Sequence, residues 1–416
     1  MNAETIAPID LFVVLVTAAA LVGLLVRRIA IPYTVALVVL GLAVTTIFPS
    51  QPFQVTPELV LLVLLPGLVF EAALRIEFDE FRRSFGWVVL LAVPGVLISA
   101  AVVAIVLNVA TGLRLELGFV VGAMVAATDP VAVVSTFKRL GSPRRLATLI
   151  ESESLLNDGT AIVLFVVAVR AAVGPISLVE TAASMVLTVL VSTLIGGLAG
   201  FVVSRLIASV DDHLIELTLS LAAAYGTYLV ADRLHHSGII ATVVAGLVIG
   251  NYGRSLGMNA RTQEALDTVW EFFAFLVTAI VFLLIGLTIS LGQLANALPW
   301  IGWGVVAILV ARAVVVYGLL GLATRLGIAG RRRGVPTGWL HVLFWGGLRG
   351  AVAIAMALSL PAEFPERLLL QEITFGVILF TLLVQGTTID WVIDRVGAGR
   401  PEPHDGSAGP AGPAGP

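Results

Sequence analysis

A glutamate, an asparagine and an aspartate stand within six residues in Glu153-Ser154-Leu155-Leu156-Asn157-Asp158, inside an otherwise apolar run. A charge near the middle of a bilayer costs at least about 2.5–3.5 kcal/mol on insertion scales, so it is seldom there without a task or a partner. A second polar group lies some thirty residues earlier, at Thr128-Asp129-Pro130. Pro130 has no N–H, and its ring crowds the carbonyl of Ala126 and pushes Asp129 out of helical geometry. The break leaves carbonyl oxygens without intrahelical donors, tolerable at depth only where protein or a water-filled cavity receives them. Carbonyls, a hydroxyl and carboxylates are hard oxygen ligands, suited to a small monovalent cation.

The rest of the chain has to hold these groups in lipid. Hydrophobic residues make up 58% of it and charged ones 12%, against about 25% charged in soluble domains. There is no cysteine, and the net charge of −3 comes without a basic, aromatic-rich patch. Disulfides, thiolate metal sites and nucleic-acid binding are therefore not expected. Glu4 and the lack of a basic leader make the first apolar run read as a retained helix.

The composition predicts an all-α polytopic membrane protein. About thirteen apolar runs are long enough to span roughly 30 Å of hydrocarbon. They fall near 9–26, 31–48, 58–76, 87–110, 117–137, 146–170, 180–207, 214–232, 237–251, 267–291, 299–324, 339–360 and 368–393. With the N-terminus outside, eighteen Lys and Arg residues fall in inner loops and four in outer ones, as the positive-inside rule requires. That puts the C-terminus in the cytoplasm. The stretch 397–416 is rich in Gly, Pro and Ala, a composition that stays disordered. Residues 1–396 are expected to form one transmembrane domain.

Six ionisable residues fall deep within the runs: Glu71, Asp129, Glu153, Asp158, Arg312 and Arg349. At 1.5 Å per residue, Asp129 lies about 18 Å into the fifth run and Asp158 about 18 Å into the sixth, both near the midplane. The short loop around 139–145 makes these two runs antiparallel neighbours, so the carboxylates face one another. Mutual pairing that merely holds helices together is the plainer account of Glu71 and Arg312. The broken backbone beside Asp129 argues against it for Asp129 and Asp158.

Within the sixth run, Ser154 and Asp158 share one face by their i,i+4 spacing, and Glu153 and Asn157 share the next. The first pair is expected to face the cation. Glu153 is expected to reach Arg349, whose other use is to neutralise the C-terminal ends of the broken helices, with Asn157 orienting the Asp129 region, and Glu151 nearer the inner surface to be solvated. Gly346-Gly347-Leu348-Arg349-Gly350 interrupts the twelfth run. Two interrupted helices, the fifth and twelfth, in oppositely oriented positions point to an inverted-repeat transporter with its site at the midplane.

Fully ionised, the six groups carry a net charge of −2. A desolvated site of that charge must recruit cations or protons, and competition between them for Asp158 is the basis of an antiporter. The loaded or protonated site crosses and the bare one does not. The same ligands admit potassium as the cation. A hydrolase would need a base beside Ser154, where no histidine lies, and a channel would need neither two broken helices nor a self-neutralising site.

Ala127-Thr128-Asp129-Pro130, Glu153-Ser154-Leu155-Leu156-Asn157-Asp158-Gly159 and Gly346-Gly347-Leu348-Arg349-Gly350 resemble motifs of the monovalent cation/proton antiporters, in the bacterial NhaP-type sodium/proton exchanger branch. Leu65-Pro66-Gly67-Leu68-Val69-Phe70-Glu71, Phe282-Leu283-Leu284-Ile285-Gly286-Leu287 and Leu383-Val384-Gln385-Gly386 extend the match over residues 10–393. The resemblance implies thirteen helices and a homodimer in the plasma (inner) membrane. It also implies a moving core (87–170 and 299–393), a dimerisation panel (9–76 and 214–291) and a linker helix (180–207). Asp158, Asp129, Ser154, Glu71 and the Thr128 backbone would surround sodium or lithium. Glu153 would be salt-bridged to Arg349, with Pro130, Asn157 and Arg312 as support and no cofactor. The Asn157-Asp158 pair is similar to that of the electroneutral branch. Thr278 stands where the family often has asparagine, and no long regulatory tail follows, so pH sensing is expected in the membrane part.

Overall fold

The computed structural model describes residues 8–26, 32–47, 56, 58–175, 177–327 and 335–397, and among these every regular element is a helix. The tail beyond 397 and the inner-loop arginines Arg27, Arg28, Arg331, Arg332, Arg333 and Arg400 lie outside the described residues.

The chain begins with α1 (Pro8–Val26), α2 (Tyr33–Ile47) and α3 (Leu65–Arg75), the last entered through a wider π-helical turn at Leu59–Leu64. Next come α4 (Phe78–Thr111), then α5 (Leu115–Ala126) and α6 (Val131–Leu140) on either side of the Pro130 break, and α7 (Arg144–Val173). There follow α8 (Leu178–Ile207), α9 (His213–Arg233), α10 (Gly238–Leu256) and α11 (Ala260–Thr288). The chain continues with α12 (Leu298–Leu326), the half-helices α13 (Thr337–Trp345) and α14 (Ala351–Leu358), and α15 (Arg367–Arg395). Among the described residues, nine helical segments are long and apolar enough to cross a membrane, the α5–α6 pair counting as one. α1, α2, α3 and the α13–α14 pair are shorter or interrupted.

Hydropathy places the start of the fourth run at 87, whereas α4 begins at Phe78. Its first turns carry Asp79, Glu80, Arg82 and Arg83 on one side and bury Phe81, Ser84 and Trp87 on the other. An amphipathic extension of this kind is helical by packing and is invisible to a search for continuous apolar sequence. Pro94, inside α4, removes a hydrogen bond, and the helix widens to a π turn over Leu91–Gly95. α12 has a matching widened turn, Val314–Leu320, packed against it.

Three buried clusters organise the interior. The largest joins α4–α7 to α12–α15, a second joins α1, α2 and α11 to α14, and a third lies among α3, α8, α9, α10 and α11. In lipid, close backbone approach replaces the hydrophobic drive between helices. The small residues Gly238, Thr242, Gly246 and Gly250 recur every four positions and seat α10 on its neighbours. A Cβ at Gly250 would lie 2.2 Å from the Leu74 carbonyl oxygen of α3.

Candidate functional site

The site forms where the two breaks cross. At the first, α5 ends at Ala126 and the chain runs extended through Ala127 before α6 begins after Pro130. The Asp129 N–H donates 2.9 Å to the Leu348 carbonyl, joining the first break to the second. There is room for no side chain at Gly350, since a Cβ would lie 2.0 Å from Asp129 Oδ2. Gly350→Ala therefore has to push the two breaks apart. The expected result is a loss of about 1–3 kcal/mol of stability and of most transport, read by thermal unfolding in detergent beside transport in liposomes.

Three of the four half-helix ends at the breaks receive a charge of the complementary sign. Arg349 Nη1 donates to the carbonyls of Ala126 (2.7 Å) and Ala127 (2.9 Å) at the C-terminal end of α5. Its own N–H donates 3.1 Å to the Thr381 hydroxyl. Arg312, from α12, donates through Nε to the Leu343 carbonyl (3.0 Å) near the end of α13. Asp129 accepts from the Val131 N–H (3.0 Å) at the N-terminus of α6.

One expectation is corrected here. Glu153 is salt-bridged to Arg312, at 2.5 and 3.2 Å through both guanidinium nitrogens, and not to Arg349. The reason is the broken backbone itself. The free carbonyls of α5 claim the Arg349 guanidinium, leaving Glu153 to the arginine that reaches it from α12. Both arginines lie beside the two breaks, Arg349 on the α5 carbonyls and Arg312 on Glu153 and the Leu343 carbonyl.

Asn157 and Thr128 interlock. The Asn157 amide nitrogen donates 2.6 Å to the Thr128 hydroxyl, and its oxygen accepts 3.2 Å from the Thr128 N–H. The Ser154 hydroxyl donates to the Thr128 carbonyl oxygen. These bonds fix the first break against α7. Asp158 stands apart from them: it is 8% exposed, and its Oδ1 has no hydrogen-bond partner among the described residues.

The five predicted cation-site residues, Asp158, Asp129, Ser154, Thr128 and Glu71, all line one cavity of about 350 Å³. Pro130 and Gly350 line it too, while Asn157, Glu153, Arg349 and Arg312 brace it from behind. Thr278 of α11 and Thr34 of α2 face it from the opposite wall. Glu151, expected to be solvated, also lines it and is half-buried, one turn along α7 from Ser154.

Sequence reasoning passed over Arg75, which pairs with Glu71 at the cavity. The i,i+4 spacing of the two residues is a signal that was available. Tyr33 was also missed. It stacks on Phe275 at 5.2 Å at the cavity wall, and nothing local in the sequence marks it.

Discontinuous helices that meet in the middle of an all-helical, multi-pass membrane fold, around buried acids, define a transporter. The model of the sodium/hydrogen exchanger transmembrane family matches residues 15–395. The Na(+)/H(+) antiporter ApNhaP of Aphanothece halophytica is 42% identical over 372 residues, covering 88% of this chain and 70% of that protein. NhaP of Pseudomonas aeruginosa is 37% identical, with 83% and 82% covered. The solved sodium proton antiporter MjNhaP1 of Methanocaldococcus jannaschii shares the fold, with a TM-score of 0.73 at 21% identity, over 93% of this chain and 98% of that one. This chain belongs to the sodium/hydrogen exchanger family, as the resemblance of its motifs implied.

Proposed function

We propose that this protein is a secondary antiporter that exchanges sodium, or lithium, for protons across the plasma membrane. The observation that carries the reading is the Asp158 carboxylate, which lines the cavity at the crossing of two broken helices and keeps one oxygen without a hydrogen-bond partner among the described residues. The names of the relatives support sodium as the ion. A cation seated between Asp158, Asp129, the Thr128 carbonyl and Ser154 is held by oxygen alone, and a proton on Asp158 removes the charge that holds it. Glu71 receives the ion at the entrance. The ions are substrates, and neither a cofactor nor a bond-making step is needed.

The exchange is electroneutral in this reading. Asn157 is neutral and committed to Thr128, so one carboxylate, Asp158, trades one cation for one proton. The chain crosses the bilayer thirteen times with its N-terminus outside, and α4–α7 with α12–α15 move as a core against the remaining helices in a homodimer. The charge asymmetry of the loops supports this orientation.

Proteoliposomes with a trapped pH dye test the ion. Sodium and lithium are expected to drive dequenching, potassium not, and an imposed membrane potential is expected to leave the rate unchanged. Equal rates with potassium would favour a potassium/proton antiporter of the same mechanism.

A further inference from the structure

Exposure rises steadily from Glu71 through Arg75, both lining the cavity, to Glu271. The side chain of Glu71 on α3 is 15% exposed, that of Arg75 one turn further 30%, and that of Glu271 on α11 69%. Arg75 thus stands at the mouth, and an ion reaching Asp158 from this side passes it. Its guanidinium is shared. Nε pairs with Glu71, while Nη2 lies 3.5 Å from Glu271 and, although buried, makes no hydrogen bond among the described residues. The side chain is therefore held closely by Glu71 and only loosely by Glu271.

We propose that Arg75 is a tethered cation that competes with the incoming ion for Glu71 and thereby sets the ion affinity of the cavity from its mouth. The inference rests on the antiport reading and adds a positioning residue to it. When the cavity is empty, the guanidinium balances Glu71. An arriving sodium ion takes over that carboxylate, and the guanidinium swings toward Glu271, the second acid within its reach. On release the guanidinium returns and expels the ion from Glu71. Such competition weakens binding and speeds departure. That serves a carrier, which must let go of its cargo on each cycle.

The test is sodium-driven exchange in proteoliposomes, read as half-saturating sodium and maximal rate separately. Arg75→Gln is expected to lower half-saturating sodium by about fivefold, the weight of a partly exposed ion pair. Glu271→Gln is expected to shift it the other way, because the guanidinium is then left wholly to Glu71. Glu271 is largely exposed, so this second variant folds whatever becomes of the first. A purely structural role for Arg75 would lower the maximal rate and leave half-saturation where it is. That outcome, or an unchanged half-saturation in Glu271→Gln, overturns the inference while wild-type exchange leaves the antiport reading standing. An inactive wild type would overturn both.

Discussion

Asp158→Asn abolishes sodium/proton exchange and leaves the protein folded. Both halves of this expectation come from the same geometry. The asparagine amide has nearly the shape of the carboxyl it replaces. Asp158 Oδ1 has no hydrogen-bond partner among the described residues, so no bond from that oxygen is lost. Its chemistry is another matter. A neutral amide offers no charge to a cation and takes up no proton near neutral pH, so the trade at the centre of the cycle has nothing to trade on. Dye-loaded liposomes should show no dequenching above protein-free controls, and size-exclusion behaviour should match wild type. The corresponding change at Asp129 is expected to be less clean, because Asp129 Oδ1 accepts from the Val131 N–H and a neutral amide oxygen is the weaker acceptor there.

Arg312→Ala has the largest expected cost in stability. It strips the partner from Glu153, whose side chain is 3% exposed, and leaves the Leu343 carbonyl without its donor. Removing one member of a buried ion pair costs about 3–5 kcal/mol, because the other charge stays behind uncompensated. The variant should unfold well below wild type in detergent and express poorly. A double-mutant cycle separates the two arginines. Glu153→Ala with Arg312→Ala should show strong coupling, so that the double variant costs much less than the sum of the singles. Glu153→Ala with Arg349→Ala should be closer to additive, since Arg349 donates to the Ala126 and Ala127 carbonyls. A coupling larger for Arg349 than for Arg312 would restore the pairing that sequence reasoning favours.

The two arginines also show where the sequence stops being legible. Pro130 and the glycines around Arg349 act on their own backbone, so both breaks can be placed from local chemistry. The i,i+4 spacing in α7 likewise separates Asp158 from Glu153. Which arginine meets Glu153 depends on how α12 is rotated against α7 and on which free carbonyls lie nearer, and neither is encoded locally. The first turns of α4 fail for a related reason. Phe81, Ser84 and Trp87 are buried on one face while charges keep the other wet, and hydropathy averages the two. Arg75 was legible by spacing, yet its place in a run of inner-loop charge hid it. Its role depends on Glu271, which lies almost two hundred residues further along the chain.

The central claim is that sodium and the proton occupy the same carboxylate in turn. The most direct measurement is radiolabelled sodium uptake into proteoliposomes, with half-saturating sodium determined at a series of pH values. One-for-one competition at Asp158 predicts that half-saturation rises toward about tenfold per unit as pH falls, with the maximal rate unchanged. Half-saturating sodium that stays constant with pH, while the maximal rate falls, would mean that the two ions sit at different groups and would contradict the account.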